Sequence, residues 1–274
     1  MNTGWMGEYV MSETMKDEIP SRQRSSAEGD ALSMLNTPSQ AALLDSIETH
    51  LRDGRGFAVA TLNLDHIVKM RRDAAFKTAY AQHSHIVADG NPVVWLSKIA
   101  GRPAELVPGS ELIEPLAALA ARLDAPIAML GATQETLDTA AAQLEADHPG
   151  LRVVARIAPP YGFDPEGAAA GKCLKQIGES GARMCFLALG APKQERLAAR
   201  ATTDLPNCGF VSIGAGLDFI AGSQTRAPRW VRKIAMEWFW RMVTNPKRLA
   251  KRYWDCIVIL PGLALKALFQ RRSA

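Results

Sequence analysis

Two stretches of the sequence, "FAVATLNLDHIV" (Phe57–Val68) and "HSHIVADGNPVVW" (His83–Trp95), decide the predicted fold. In each stretch a continuous apolar run stops at polar or turn-forming residues. Continuous apolar runs are typical of strands that are buried on both faces, as in parallel sheets. The first run leads to Asp65 and the second ends at Asp89, so the sequence places one carboxylate just beyond each of two predicted strands.

The same alternation of apolar runs and helical patterns continues to about residue 213. Strands are predicted at 57–62, 85–88, 127–131, 152–158, 184–190 and 209–213. Helices are predicted at 37–53, 66–83, 110–123, 133–147, 165–179 and 194–202. This alternation favours an α/β fold, a Rossmann-like parallel sheet sandwiched by helices. Ligands of such sheets bind beyond the carboxyl ends of the strands, so a site is expected at the corners that follow them.

The charges of the chain are unevenly distributed. The net charge is +4, but residues 221–274 carry 12 Lys or Arg against two acids, whereas the first 220 residues carry 20 against 26. Such a basic segment predicts contact with something anionic, namely nucleic acid, phosphate groups or a membrane surface. The apolar window 256–269 contains Pro261 and Lys266 and is too short to span a bilayer, so contact without crossing is expected.

Composition divides the chain into three parts. Residues 1–30 are polar and without periodicity, which predicts a disordered tail, and residues 31–222 form the predicted α/β core. Residues 223–274 form a basic, aromatic-rich helical appendage, in which Trp230, Ile234 and Trp238 recur at helical spacing. The four cysteines include no C-x-x-C pair and fit a reducing cytosol.

Several motifs that would indicate other chemistry are absent. The sequence has no G-x-x-x-x-G-K-[ST] phosphate loop, no G-x-S-x-G elbow and no D-x-D metal motif. Gly214-x-Gly216 follows a strand, but Phe219 leaves the dinucleotide fingerprint incomplete. His83 and His85 lack a third ligand nearby in the sequence. We therefore expect neither a metal ion nor a cofactor.

The stretch "ALGAPKQE" (Ala188–Glu195) indicates an anion-binding corner. A strand ends at Gly190, and Gln194 opens a helix whose first backbone N–H groups favour anionic oxygens. Lys193 and Gln194 add side-chain donors. The alternative is an ordinary turn with helix-capping residues, and the stretch alone does not decide between the two.

A series of motifs in a fixed order resembles one known family. The motifs are "TLN" at 61–63, "VADG" at 87–90, "PGSEL" at 108–112, "LGA" at 130–132, "PPYGF" at 159–163, "LGAPKQE" at 189–195, "GAGLDFIAG" at 214–222 and "RAP…W…R…NPKR" at 226–248. Together they look like the WecG/TagA/CpsF family of bacterial glycosyltransferases. The resemblance runs from about residue 31 to about residue 270.

This resemblance implies an inverting, metal-independent glycosyltransferase. Such an enzyme moves a sugar from a UDP-sugar to an undecaprenyl-diphosphate-linked saccharide, at the cytoplasmic face of the membrane. Members build teichoic-acid linkage units, surface antigens and exopolysaccharides, and a C-terminal appendage completes the active site near the membrane. The resemblance implies no nucleic-acid partner. It leaves open which sugar and acceptor are used, and whether apolar surface in the appendage meets lipid or a second subunit.

The resemblance also assigns roles at two strand ends. Asp89 matches the proposed general base, and Gly90 would leave room for the sugar. Thr61 and Asn63 match residues that line the same pocket. Asp65 matches a position that is often acidic, and an interaction with the helix dipole is favoured for it. Without the resemblance, Asp89 is better explained as a cap of the next helix or turn.

The remaining predicted contacts follow from the other corners and the appendage. Gln194 matches a family glutamine near the nucleotide or sugar. The arginines expected to fold over the diphosphate are Arg226, Arg232 and Arg241. Further substrate contacts are expected at Gly131, Tyr161, Gly190, Lys193 and Gly214. The alternative for the arginines is a solvated basic face or contact with anionic lipid.

Two rival functions remain at this point. A nucleotide-dependent oxidoreductase is supported only by Gly214-x-Gly216. A nonenzymatic nucleic-acid or membrane-surface binding module is supported by the basic C-terminal segment. The second rival leaves the polar corners of the predicted sheet unexplained.

Overall fold

A computed structural model describes residues 31–223 and 246–273 of the chain. In these residues six parallel strands form one sheet in the order β2-β1-β6-β5-β3-β4. The strands are β1 Phe57–Leu62, β2 His85–Ala88, β3 Ile127–Gly131, β4 Val153–Ile157, β5 Met184–Ala188 and β6 Gly209–Ser212. The sheet and its flanking helices confirm the predicted Rossmann-like α/β fold.

The helices of the described residues alternate with these strands. They are α1 Gln40–Asp53, α2 Leu64–Arg72, α3 Ala74–Ala81, α4 Asn91–Ile99, α5 Ile113–Arg122, α6 Gln134–Asp147, α7 Ala168–Glu179, α8 Lys193–Asp204 and α9 Gly216–Ile220. A C-terminal helix covers Pro246–Ser273, and short 3-10 helices lie at Ala31–Met34 and Gly109–Glu111.

The predicted and observed helices differ in three places, one of which is the short α9, a helix that no prediction covers. The pattern over 66–83 is divided into α2 and α3 because Asp73 adopts an extended backbone (φ −137°) and its side chain accepts the N–H of Phe76, capping α3. Helix α4 is absent from the prediction, because Gly90-Asn91-Pro92 has the composition of a turn. Pro92 in fact lies in the first turn of α4, where its missing N–H costs nothing.

The helices cover both faces of the sheet. Helices α1, α5 and α6 pack on one face, where β1, β3 and β5 present Val59, Met129 and Phe186. Helices α7 and α8 cover alternate residues such as Ala58 and Leu130 on the other face. Helices α2, α3 and α4 enclose the β1–β2 end of the sheet. All six residues of β1 are buried, as expected of a strand covered on both sides.

The C-terminal helix is part of this core on one side only. It packs against α2 and α4, burying Leu263 and Ala267. Its other side exposes Trp254, Ile257, Val258, Leu265, Leu268 and Phe269. The stretch Ala250–Arg271, 22 residues, is long and apolar enough by length and composition to cross a membrane. The apolar stretch is therefore longer than the window 256–269, because the helix continues through Pro261.

Gly131 shows how closely the strand ends pack, and it generates a stability prediction. Its φ is +116°, and a Cβ there would overlap the carbonyl of Ala188 on the neighbouring β5. Gly131→Ala should therefore lower the free energy of unfolding by roughly 2–4 kcal/mol, combining a backbone cost with a steric one. Urea denaturation followed by circular dichroism measures this loss.

Gly181→Ala is the matched control for that prediction. Gly181 has φ +74°, but an added Cβ would meet no atom of the described part of the chain within 4 Å, so only the backbone cost applies. That cost is about 1 kcal/mol. Equal losses in the two variants would contradict a steric role for the Gly131–Ala188 contact.

Candidate active site

The parallel pairing of β1 with β2 brings Asn63 and Asp89 together. Thr61 pairs with Val87 and Leu62 with Ala88, so the residues that follow both strands emerge side by side at the carboxyl edge. The Asp89 N–H donates to the Leu62 carbonyl at 2.8 Å, which extends the ladder by one residue. The Asn63 amide nitrogen then donates to Asp89 Oδ2 at 3.4 Å. The two residues assigned to one pocket by resemblance are thus in contact.

The orientation of the Asn63 amide is set by the start of α2. Asn63 is the N-cap of that helix, and its Oδ1 accepts the N–H of His66 at 3.0 Å. The nitrogen Nδ2 is therefore directed towards Asp89 and the His66 ring. Burial lowers the pKa of His66 to about 3, so the ring is neutral, with Nδ1 3.3 Å from the Tyr80 hydroxyl. The neutral His66 ring therefore adds no charge beside the Asn63 amide.

Gly90 leaves space beside Asp89. Its φ is +96°, and the nearest atom to an added Cβ would be Pro92 Cδ at 3.9 Å. Gly90, and not Asp89, occupies the N-cap position of α4. Asp89 is half-buried, whereas Asp65 is buried. The carboxylate of Asp89 is the more accessible of the two.

Thr61 lies beneath the edge. It is 4% exposed, and its methyl group would lie 3.3 Å from a Cβ on Gly109. The segment 106–109 crosses the strand ends here: Val107 N–H donates to the Ala88 carbonyl, and Gly109 approaches the Ser212 carbonyl of β6. Gly109 permits this close approach because it has no side chain. Thr61 therefore supports this segment from below.

A second pair of corners is joined through Gln194. This residue is 3% exposed at the start of α8, immediately after the β5 corner. Its Oε1 accepts the N–H of Gly214 at 3.2 Å, and its Nε2 donates to Glu195 Oε1 at 2.9 Å. Since β5 and β6 are neighbours, this amide links the corners that follow them. Lys193 beside it is exposed.

Glu195 is a fully buried acid that the sequence reasoning missed. Burial raises the pKa of its carboxyl group from 4.5 to about 7, against the opposing effects of the Gln194 hydrogen bond and of Lys69. Its Oε2 has no hydrogen-bond partner within residues 31–223 and 246–273. The only local signal is an acid among buried residues on the same face of α8, such as Ala198 and Ala199.

Asp65 occupies the first turn of α2, as expected, but its partners were not foreseen. Its carboxylate is 2.7 Å from Lys69 Nζ and 3.0 Å from Arg252 of the C-terminal helix. Lys69 also donates to the Ala191 carbonyl at 3.0 Å, in the corner after β5. The Asp65–Lys69 spacing of four residues is a recognisable signal. The contact with Arg252 has no local signature in the sequence.

The predicted contacts at the other end of the sheet lie apart from Asp89. Tyr161 is fully exposed in the turn after β4, and Gly131 ends β3. Strand β4 is the fifth strand along from β2, the strand that Asp89 follows, which corresponds to roughly 24 Å at about 4.8 Å per strand. The corners of Gly190 and Gly214 lie between these ends, and no described residue has an atom within 4 Å of an added Cβ at either glycine.

The predicted arginines Arg226, Arg232 and Arg241 lie outside the described residues. Within 31–223 and 246–273, no group of three His, Cys, Asp or Glu side chains is arranged to hold a metal ion. The described part of the candidate site therefore consists of Asn63, Asp89 and Gly90 beside the open corners at Gly190 and Gly214.

Glu195 generates a prediction about the pH dependence of stability. Between about pH 4.5 and 7 the folded protein binds the proton of Glu195 more tightly than the unfolded chain does. Its contribution to stability is therefore present below this window and falls as the pH rises through it. Glu195→Gln should gain roughly 3 kcal/mol relative to the parent protein between pH 4.5 and pH 8.

Urea midpoints of both proteins at pH 4.5, 6 and 8 measure that difference. The buried histidines titrate in both proteins, so their contribution cancels in the comparison. Parallel stability curves for the two proteins would show that Glu195 titrates at an ordinary pKa in the folded state.

Comparison with known proteins places these features in a family. The family model described as "Glycosyl transferase WecG/TagA/CpsF family" matches residues 32–274. A Bacillus subtilis (strain 168) protein is 24% identical over 236 residues, covering 85% of this chain and 87% of the relative. A Staphylococcus aureus (strain NCTC 8325 / PS 47) protein is 28% identical over 195 residues, covering 70% and 74%. Both are named N-acetylglucosaminyldiphosphoundecaprenol N-acetyl-beta-D-mannosaminyltransferase.

A relative from Bacillus spizizenii (strain ATCC 23059 / NRRL B-14472 / W23) carries the same name and is 25% identical over 227 residues. The match covers 82% of this chain and 84% of the relative. The resemblance seen in the ordered motifs is thus confirmed over nearly the whole sequence, and the protein belongs to the WecG/TagA/CpsF family of glycosyltransferases.

Proposed function

We propose that this glycosyltransferase moves a sugar from a UDP-sugar, with inversion, to an undecaprenyl-diphosphate-linked saccharide in the biosynthesis of a cell-envelope polysaccharide. The observation that carries the proposal is the contact between Asn63 and Asp89 beside the space at Gly90. The relatives named above act, by their names, on N-acetylglucosaminyldiphosphoundecaprenol, which makes that lipid the first acceptor to test.

Asp89 is the proposed general base. Its carboxylate takes the proton from the acceptor hydroxyl as that oxygen bonds to the anomeric carbon and the bond to the UDP oxygen breaks. The Asn63 amide, held by its cap of α2, orients the carboxylate for this step. Because the base and the leaving diphosphate lie on opposite sides of the anomeric carbon, a single displacement inverts it. A positioned base of this kind contributes about 10²–10⁴-fold to the rate.

The leaving diphosphate needs positive charge and hydrogen-bond donors. Lys193 is exposed at the first position of α8, beside the open corner at Gly190. The start of a helix adds backbone N–H donors there. We assign the remaining positive charge to Arg226, Arg232 and Arg241, since guanidinium groups pair with diphosphates in a bidentate manner.

The exposed side of the C-terminal helix supports binding at a membrane surface. Trp254, Val258, Leu265 and Phe269 lie on that side, and Lys251 and Arg271 are exposed near its ends. Apolar area and basic charge together favour a surface that contains anionic lipid. The opposite side is buried, and Arg252–Asp65 and Arg72–Asp255 ion pairs hold the helix to α2. We therefore propose that the helix lies on the cytoplasmic face of the membrane and does not cross it.

Replacing Asp89 tests the proposed chemistry. Asp89→Asn should lower the transfer rate by about 10²–10⁴-fold, because the amide cannot accept the proton. UDP binding, measured by thermal shift, should be unchanged. The assay offers a panel of UDP-sugars and a polyprenyl-diphosphate-N-acetylglucosamine acceptor. Asp45→Asn, an exposed position on α1, is the matched control and should be fully active.

The same assay distinguishes a wrong assignment of the base from a wrong assignment of the function. Normal transfer by Asp89→Asn would remove the base assignment alone. A parent protein that transfers no sugar from any donor and does not bind UDP would overturn the proposed function. A response to NAD in place of UDP would favour an oxidoreductase, for which Gly214-x-Gly216 is the only sequence support.

The membrane proposal is tested by a double substitution, Val258→Ser with Phe269→Ser. Loss of two apolar side chains from the exposed side should weaken binding to anionic liposomes by at least about tenfold. Transfer to a water-soluble acceptor analogue should persist, since neither side chain is in the core. Val154→Ser, an exposed apolar residue of β4, is the control.

Unchanged liposome binding by the double variant would contradict the membrane proposal. Sedimentation velocity of the parent and the variant tests whether a second copy of the chain binds this surface instead of a membrane. A parent dimer that dissociates in the variant would assign the exposed side to a second copy of the chain.

A further inference from the structure

Glu195 has a buried environment that the proposed chemistry does not explain. It is completely inaccessible to solvent, although acids are almost never fully buried unless they are paired. A buried carboxylate is costly, and a hydrophobic residue at this position of α8 would pack without that cost. A hydrogen bond from a neighbouring partner can offset the cost of burying this carboxylate.

The partner is the side-chain amide of Gln194. The backbone N–H of Gly214 can only donate, so the amide must present its oxygen to Gly214, at 3.2 Å. The amide nitrogen is then directed to Glu195 Oε1, at 2.9 Å. A carboxylate is an acceptor at both oxygens and so favours this orientation of the amide alone. Glu195 thereby fixes which end of Gln194 faces the Gly214 corner.

This link lies directly beneath two open corners. Gly190 and Gly214 have φ values of +70° and +58°, and a Cβ added at either would meet no atom of residues 31–223 and 246–273 within 4 Å. The Gln194 N–H donates to the Gly190 carbonyl, so the same residue contacts both corners. Because Gln194 is only 3% exposed, its effect on a bound donor passes through the backbone of these corners.

Charges from the neighbouring helices surround Glu195. Lys69 of α2 lowers the pKa of Glu195, and Asp65 of the same helix raises it. The charge of Glu195 in turn raises the pKa of the Tyr80 hydroxyl of α3. Arg252 of the C-terminal helix forms an ion pair with Asp65 and so offsets the repulsion between Asp65 and Glu195. Lys69 also donates to the Ala191 carbonyl of the Gly190 corner. The ionised form of Glu195 and the position of this corner therefore depend on the same lysine.

We propose that Glu195 is a positioning residue for the UDP-sugar: its buried carboxylate locks the Gln194 amide and so holds the Gly190 and Gly214 corners in register for donor binding. This inference rests on the proposed glycosyl transfer and adds to it a residue that does not itself touch the substrate. It accounts for the buried acid and for an amide that is hydrogen-bonded at both ends.

The test compares Glu195→Gln, Glu195→Ala and the control Glu179→Gln, an exposed position on α7. Glu195→Gln keeps the size of the side chain but replaces the carboxylate by an amide. The new amide accepts the hydrogen bond of Gln194 only when its oxygen, and not its nitrogen, faces Gln194. We expect the KM for the donor to rise about tenfold in Glu195→Gln and more in Glu195→Ala, with kcat changed less than about threefold. The control should match the parent protein.

Two further readouts distinguish positioning from a structural role. The kcat/KM of the parent for the donor should rise with pH through about 7, where Glu195 ionises, and this rise should vanish in Glu195→Gln. Gln194→Leu combined with Glu195→Gln should be no worse than Gln194→Leu alone, because the two residues act in series. Circular dichroism confirms that each variant is folded.

Two results would overturn the proposal. One is a Glu195→Gln protein that keeps the donor KM and the pH profile of the parent protein. The other is a double variant in which the separate effects of Gln194→Leu and Glu195→Gln on the donor KM add together. UDP affinity, measured directly by calorimetry, separates these results from failure of the proposed function. Weaker UDP binding in Glu195→Gln supports positioning even if no acceptor in the panel is used. Parental UDP affinity in both Glu195 variants refutes it even if transfer is observed.

Discussion

The parallel pairing of β1 with β2 is the constraint on which the candidate active site depends. Both strands are buried on both faces, so their register is fixed by packing as well as by hydrogen bonds. This register delivers Asn63 and Asp89 to the same point of the carboxyl edge. The start of α2 then orients Asn63, and Gly90 leaves the space beside Asp89. A shift of one residue between the strands would separate the amide from the carboxylate.

The C-terminal helix is tied to this edge by the Asp65 carboxylate. Lys69 and Arg252 both meet Asp65, and Lys69 reaches on to the corner after β5. The helix therefore joins the core through apolar contacts at Leu263 and Ala267 and through charge at Arg252. The opposite side of the helix is exposed and can bind another surface. One helix thus connects the proposed active site with the surface that we propose binds the membrane.

The features that the sequence predicts well are those set by local pattern. All six strands are predicted within about two residues of their observed bounds, because apolar runs bounded by turn residues are local signals. Helix α4 escapes prediction because Gly90 and Pro92 suggest a turn, and α2 and α3 are merged because the cap formed by Asp73 is not recognised. The buried position of Glu195 and the contact between Asp65 and Arg252 depend on how distant helices pack. No local pattern specifies such contacts.

The two aspartates that follow neighbouring strands show why position in the sequence is not sufficient to assign chemistry. Asp65 is buried, and two cations already engage its carboxylate, so an acceptor hydroxyl would have to displace an ion pair to reach it. Asp89 is half-buried, receives an amide hydrogen bond from Asn63 and adjoins the space at Gly90. A general base must be reachable by its substrate before its basicity matters. Geometry therefore separates a carboxylate that holds two elements together from the more accessible one that we propose as the base.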